Sequence, residues 1–228
     1  SFQKPVIATM SMRDRNKIAL QSDLLGANEH NLRSILCLTG DPASASDQPN
    51  LKGVFEGNST LLLDMIKCFN AGIDYSGKPF KIQPKPIFPF AVCNAHANMP
   101  KNLMKKMATK IHHGALGIIT QPVYSKENAL MLLELLEEAH ISLEHQGAKT
   151  ELILGFFPIG RVRTAQFLAA HVPGSHVPDI WMEKLTLAKK KSEEQERKVG
   201  FELSVQTFHE LKKIHPKIHL MSANNFEL

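Results

Sequence analysis

Tryptophan occurs once in this sequence, tyrosine twice and cysteine three times, and no apolar run approaches the length of a membrane span. Each scarcity excludes something. A membrane helix needs about 20 consecutive apolar residues, and none is present, so no membrane partner is expected. Three cysteines, Cys37, Cys68 and Cys93, cannot complete a disulfide framework. They also lack the CxxC or Cys/His spacing of a structural zinc site, so no metal is expected. Cys37 lies inside an apolar run, where a free thiol behaves as a small hydrophobe. A reducing cytoplasm is the expected compartment. Aromatics are few and the charge excess is only +5, spread along the chain. That permits an anionic ligand but lacks the dense basic stripe of a nucleic-acid binder. HExxH, GxSxG, GxxxxGK[ST] and GxGxxG are all missing. Metalloprotease, α/β-hydrolase, P-loop and Rossmann readings therefore lack support.

What is present is an ordinary globular composition, 43% apolar and 21% charged, which excludes disorder and fibrous repeats. Short apolar runs predict strands at Val6–Met10, Ser34–Leu38, Ile87–Val92, Leu116–Thr120, Leu152–Phe157 and Ile218–Met221. They are continuous instead of alternating, the mark of parallel strands buried on both faces. Amphipathic stretches predict helices at Asn16–Glu29, Ser59–Phe69, Lys101–His113, Ser125–Leu143, Thr164–His171, Pro178–Ala188 and Glu193–Ile214. In the first, Ile18, Leu20, Leu24 and Leu25 are expected on one inner side. Strand–helix alternation implies right-handed crossovers and a parallel α/β sheet. The charge run Lys189–Lys191 with Glu193, Glu194 and Glu196 reads as a solvated helix start.

Polar residues gather after the strands, not before them: Thr9, Ser11 and Arg13–Asn16; Thr39–Pro42; Cys93–His96; Thr120–Pro122; Phe157–Pro158 with Arg161; and Ser222–Asn225. In parallel sheets, ligands sit at the carboxyl ends of the strands. Polar βα loops with helix caps such as Asn16 and Ser125 give the same pattern without a site. Asp41 stands between Gly40 and Pro42; it could accept hydrogen bonds from a heterocycle or cap a turn. Lys106 and Lys110 are four apart, a spacing that suits a phosphate or diphosphate and equally suits two surface lysines with buried stems. Gln121 presents a neutral amide at a strand end, able to read a donor/acceptor edge.

These stretches together resemble the methylenetetrahydrofolate reductase family. The resemblance rests on Thr9–Asn16 (TMSMRDRN), Gln21–Gly26, Leu38–Pro42 (LTGDP), Gly53–Phe55, Gly114–Gln121 (GALGIITQ), Gly155–Pro158 and His219–Asn225. They cover essentially the whole chain in family order. The resemblance implies a (β/α)8 TIM barrel carrying FAD at its carboxyl face, residues 1–228 forming a single, N-terminally incomplete catalytic domain. It implies reduction of 5,10-methylenetetrahydrofolate to 5-methyltetrahydrofolate by NADH or NADPH in ping-pong fashion, within one-carbon and methionine metabolism. By correspondence, Asp41 stands near flavin and pterin and is the catalytic candidate. Thr39 and Gly40 contact the flavin, and Lys106 and Lys110 hold its diphosphate. Gln121 binds folate and meets the reductant. Thr164 and Asn225 align with folate-contacting positions. Phe90 and Asn94 align with flavin-site positions that hold tyrosine and histidine in some members, and Thr9 replaces a histidine.

Two family strands have no counterpart in the six expected here, and one of them carries the glutamate that acts as general acid. The chain also starts at Ser1 with a strand close behind, so the expectation is a barrel whose first two strands are missing. A non-catalytic flavin- or folate-binding subunit, and an unrelated doubly wound protein binding a phosphorylated ligand, are the alternatives. A homo-oligomer is compatible with the sequence.

Overall fold

The computed structural model describes residues 4–42, 44, 48–143 and 149–222. They form six strands and seven helices: β1 (Ile7–Ser11), α1 (Lys17–Glu29), β2 (Ser34–Leu38), α2 (Ser59–Asn70), β3 (Phe88–Cys93), α3 (Pro100–His112), β4 (Gly117–Pro122), α4 (Lys126–Ser142), β5 (Glu151–Phe156), α5 (Val162–His171), α6 (Asp179–Lys189), α7 (Glu193–Ile214) and β6 (Ile218–Leu220). Every expected element is present within one or two residues. Strand order follows chain order from β1 to β6. A doubly wound sheet reverses its order at a switch point, so that alternative is excluded.

Contacts divide the chain into two compact units. The first is Ser1–Val92, Thr109–Ile118 and Gln146–Thr150; the second is Cys93–Ala108, Ile119–His145 and Glu151–Leu228.

In the first unit, β1, β2 and β3 pair in parallel. Ile35 and Cys37 of β2 and Ala91 of β3 point to the buried side. There Leu62, Leu63, Met65 and Ile66 of α2, with Leu20 and Leu24 of α1, complete an apolar core. The register aligns Thr9 with Leu36, and Leu36 with Phe90. Side chains alternate faces along a strand, so these three form one row on the opposite, half-open side. The α1 expectation needs correction. Ile18 is 75% exposed and Leu25 47%, because the inward stripe is only Leu20 and Leu24. Ile18 and Leu25 instead border a surface groove with Phe69, Ile73, Tyr75 and Phe80. Asn16 caps α1 through Ala19 N–H at 2.8 Å, and Glu56 accepts the Lys17 N–H at 2.9 Å.

In the second unit, β5 and β6 pair in parallel. Leu152, Leu154 and Phe156 of β5 are buried, as are Leu132 and Leu136 of α4, Trp181 and Leu185 of α6 and Leu211 of α7. Tyr124 sits between Phe156 and Trp181, with ring centroids 5.9 and 5.4 Å away, and donates its hydroxyl to the Phe157 carbonyl at 2.9 Å. Burial holds that phenol protonated, far above the ordinary tyrosine range. Ser125 caps α4 as expected. The charge run opens α7 and is exposed as expected at Lys189–Lys191, Glu193 and Glu194, and departs from the expectation at Glu196. Ser192 caps α7, and Glu196 is only 3% exposed, one turn further in. No helix among the described residues is long and apolar enough to cross a membrane.

Candidate functional site

In the first unit the candidate residues converge where β2 ends. The chain leaves β2 through Thr39 and enters a left-handed turn at Gly40, φ 88°. A β-carbon at Gly40 would lie 2.7 Å from the Arg13 β-carbon and collide with the Ser11 hydroxyl. Glycine is thus required twice, by dihedral and by space. Asp41 follows on the exposed rim. The turn after β1 that presses on Gly40 is itself fixed: Arg13 N–H donates to Ser11 Oγ at 3.1 Å.

Behind Thr39 lies a residue that the sequence did not single out. Ser59, the first residue of α2, is 4% exposed. Its N–H donates to Thr39 Oγ1 at 3.1 Å, and the Thr39 hydroxyl donates back to Ser59 Oγ at 3.4 Å. The Lys110 ammonium, from the last turn of α3, also donates to Ser59 Oγ. Thr39, Ser59 and Lys110 therefore meet in one cluster at the end of β2. A second bridge holds α3 to α2: His113 Nδ1 lies 2.7 Å from Asp64 Oδ1. Both bridges were hidden in sequence because their partners are about fifty positions apart. Thr9 and Phe90 lie in the Thr9–Leu36–Phe90 row, Thr9 exposed and Phe90 half-buried.

The Arg13–Asn16 stretch is spent on structure. Arg13 Nε donates to Asp14 Oδ1 at 2.8 Å, and that hydrogen bond holds the Asp14 carboxyl below its usual range. Arg15 pairs with Asp23 at 3.3 Å. Directly after the Gly53–Val54 pair, Phe55 adopts φ 40°, a conformation uncommon for a bulky residue. It is a second strained turn close to Arg13, whose carbonyl accepts the Val54 N–H.

In the second unit, Asn94 is half-buried against Gly174. The N–H groups of Ala95 and His96 both donate to the Gly174 carbonyl, at 2.9 and 3.0 Å. His96 stacks on His176, centroids 4.8 Å apart. Lys106 is exposed on α3, one turn before Lys110. Gln121 is half-buried near the end of β4. Its carbonyl accepts from Thr120 Oγ1 at 2.8 Å, while that oxygen accepts the Gly155 N–H at 2.9 Å. The Gln121 side-chain amide makes no hydrogen bond to another described residue. Thr164 lies in the first turn of α5. No hydrogen bond joins Asn94, Lys106, Gln121 and Thr164 to one another among the described residues. Asn225 lies outside the described residues. Among the described residues, no three His, Cys, Asp or Glu side chains group as metal ligands.

Chemically, the β2 end offers a seated cation, a carboxylate on the rim and an open sheet face. That combination suits a ligand with an anionic part and a flat, polar-edged ring.

Comparison with curated proteins yields no match. Among solved structures, the chain is similar to a protein from Clostridium thermocellum described as uncharacterized and as binding two copies of 5-methyl-5,6,7,8-tetrahydrofolic acid. The two share 15% identity with a TM-score of 0.49, over 97% of this chain and 90% of that one. The family described as methylenetetrahydrofolate reductase matches over residues 2–228, nearly the entire sequence, and by that match the chain belongs to the methylenetetrahydrofolate reductase family.

Proposed function

We propose that the protein is a flavin-dependent reductase converting 5,10-methylenetetrahydrofolate to 5-methyltetrahydrofolate, with NADH or NADPH as the source of reducing equivalents. In a chain of this family, the observation that carries the reading is the meeting of Thr39, Gly40 and Lys110 at the end of β2, with Asp41 next in line. We read the six strands, in chain order, as consecutive strands of a (β/α)8 barrel within one catalytic domain spanning residues 1–228.

The residues fit FAD. Lys110, held on Ser59, offers a positive charge for a diphosphate. Gly40 leaves bare backbone that a ring can approach. The Thr9–Leu36–Phe90 row supplies a half-open sheet face. Thr9, Thr39, Gly40, Phe90 and Lys110 would hold the cofactor, and family correspondence adds Asn94 and Lys106. When bound, the flavin supplies the hydride chemistry and the protein supplies position and charge. Asp41 accepts hydrogen bonds from the donor edge of the pterin and keeps a fixed negative charge beside it. The Gln121 amide offers both a donor and an acceptor to the folate. Thr164 and Asn225 are assigned to the folate by correspondence.

The test is reconstitution with FAD, followed by separate assays of the two half-reactions. Asp41→Asn should slow folate reduction roughly tenfold or more, the scale of one lost charge-assisted hydrogen bond. Nicotinamide oxidation with menadione as acceptor should change far less. Equal losses in both would remove Asp41 from folate binding. Protein that binds no added FAD would sink the reading. Protein that binds both ligands without turnover would point to the non-catalytic alternative.

A further inference from the structure

We infer that Ser59 is a positioning residue that seats the Lys110 ammonium for an anionic diphosphate; the inference rests on the cofactor reading above. Ser59 is 4% exposed and opens α2, yet it is not that helix's cap. Asn58 is the cap, accepting the Thr60 N–H at 2.9 Å. The Ser59 hydroxyl is instead engaged on its acceptor side, receiving the Lys110 ammonium and the Thr39 hydroxyl. Thr39 is tied in return by the Ser59 N–H. One buried oxygen thus joins the end of β2, the start of α2 and the last turn of α3.

A lysine head sits on a flexible four-carbon stem. Binding an anion with a freely rotating ammonium means ordering that stem at the moment of association. Fixing one of the three ammonium donors on a buried oxygen orders the stem beforehand. It also places the charge beside Thr39, where the chain leaves β2 for the Gly40 turn. Ser59 needs no contact with the ligand for this; it acts through Lys110.

The experiment measures affinity by calorimetry for FAD, for riboflavin (the same ring without phosphate) and for inorganic pyrophosphate. The proteins are wild type, Ser59→Ala, Lys110→Met and the double variant. Ser59→Ala should weaken FAD and pyrophosphate about fivefold and leave riboflavin within about twofold. Added to Lys110→Met, it should cost nothing further, because the residue it positions is gone. A merely structural serine would weaken riboflavin equally, or add its full effect on top of Lys110→Met; either result overturns the inference. So does unchanged anion affinity in Ser59→Ala. Should Ser59→Ala not fold, Ser59→Cys keeps the volume with a weaker acceptor and should move anion affinity in the same direction. Wild type that binds pyrophosphate with this coupling but not FAD would overturn the cofactor reading and leave the Ser59 role standing. Wild type that binds neither overturns both.

Discussion

Cys37 is fully buried on the closed side of β2. Burial pushes its thiol up to about 12 from the model-compound value of 9.0, while the nearby Lys110 charge pulls the other way. The native protein therefore keeps a proton that the unfolded chain releases. Stability from this source is complete below the unfolded value and is lost as pH rises toward the folded one. Urea midpoints should accordingly fall more steeply in wild type than in Cys37→Ala between about pH 8.5 and 11, each normalised to its value at neutral pH. Parallel slopes would show that the thiol does not titrate there. At this scale the sequence was informative wherever the reason was local. Cys37 reads as a small hydrophobe because its neighbours are apolar, and Asn16 and Ser125 read as caps because capping is decided within three residues. Ser59 was illegible for the complementary reason: a serine at a helix start suggests a cap, and its partners Thr39 and Lys110 lie 20 and 51 positions away.

At the scale of the element, α7 overturns a habit of reading charge as exposure. Its buried residues are Glu196, Gly200, Ser204, Thr207 and Leu211, a stripe at helical spacing that is small or polar until its last member, Leu211. Glu196 Oε1 accepts the Val162 N–H at 2.9 Å, supplying the cap that Arg161 does not give α5. Its negative charge also faces the positive end of that helix. Ser204 accepts the Ile159 N–H at 3.0 Å, fastening the same loop. Glu196→Ala should lower unfolding free energy by about 1–3 kcal/mol, the cost of a buried amide losing its acceptor. Glu194→Ala, on the solvent side, should change it by under about 0.5 kcal/mol. Denaturant titration checks the pair, and equal effects would refute the capping role. Helix boundaries were readable here because periodicity and caps mark them. The identity of the buried face was not, since hydrophobicity was the only guide to it. The same limit misplaced Ile18 and Leu25 on α1.

Across the whole molecule, the strand series was legible from its continuous apolar runs and from βαβ alternation, which dictates parallel neighbours. The expected burial on both faces holds along β4 but not along β2 and β3, where buried residues alternate with more open ones, nor in β1, which has no buried residue. Membership of the family was legible through stretches in order along the chain. The convergence of Thr39 with Lys110 was not, since spacing alone suits a surface lysine equally well. Net charge acts at this scale too. An excess of +5 favours approach of anionic ligands, and salt screens it. Stopped-flow association of FAD should slow about twofold to fivefold between roughly 20 and 500 mM salt, with dissociation changing less. An association rate independent of salt would show that the charge excess does not steer FAD.

The tight seam of α7 has a practical consequence for anyone recoding this protein. A β-carbon at Gly200 would stand 2.5 Å from the Ile159 carbonyl oxygen and 2.8 Å from Gly160 backbone atoms. Stabilisation by filling the interior with larger apolar groups, sound in most cores, would here pry the helix from the loop after β5. Ordinary substitution scores are inverted along this line, where smallness is rewarded. The freedom to change lies on the opposite flank, at Phe201 and Val205, 52% and 38% exposed.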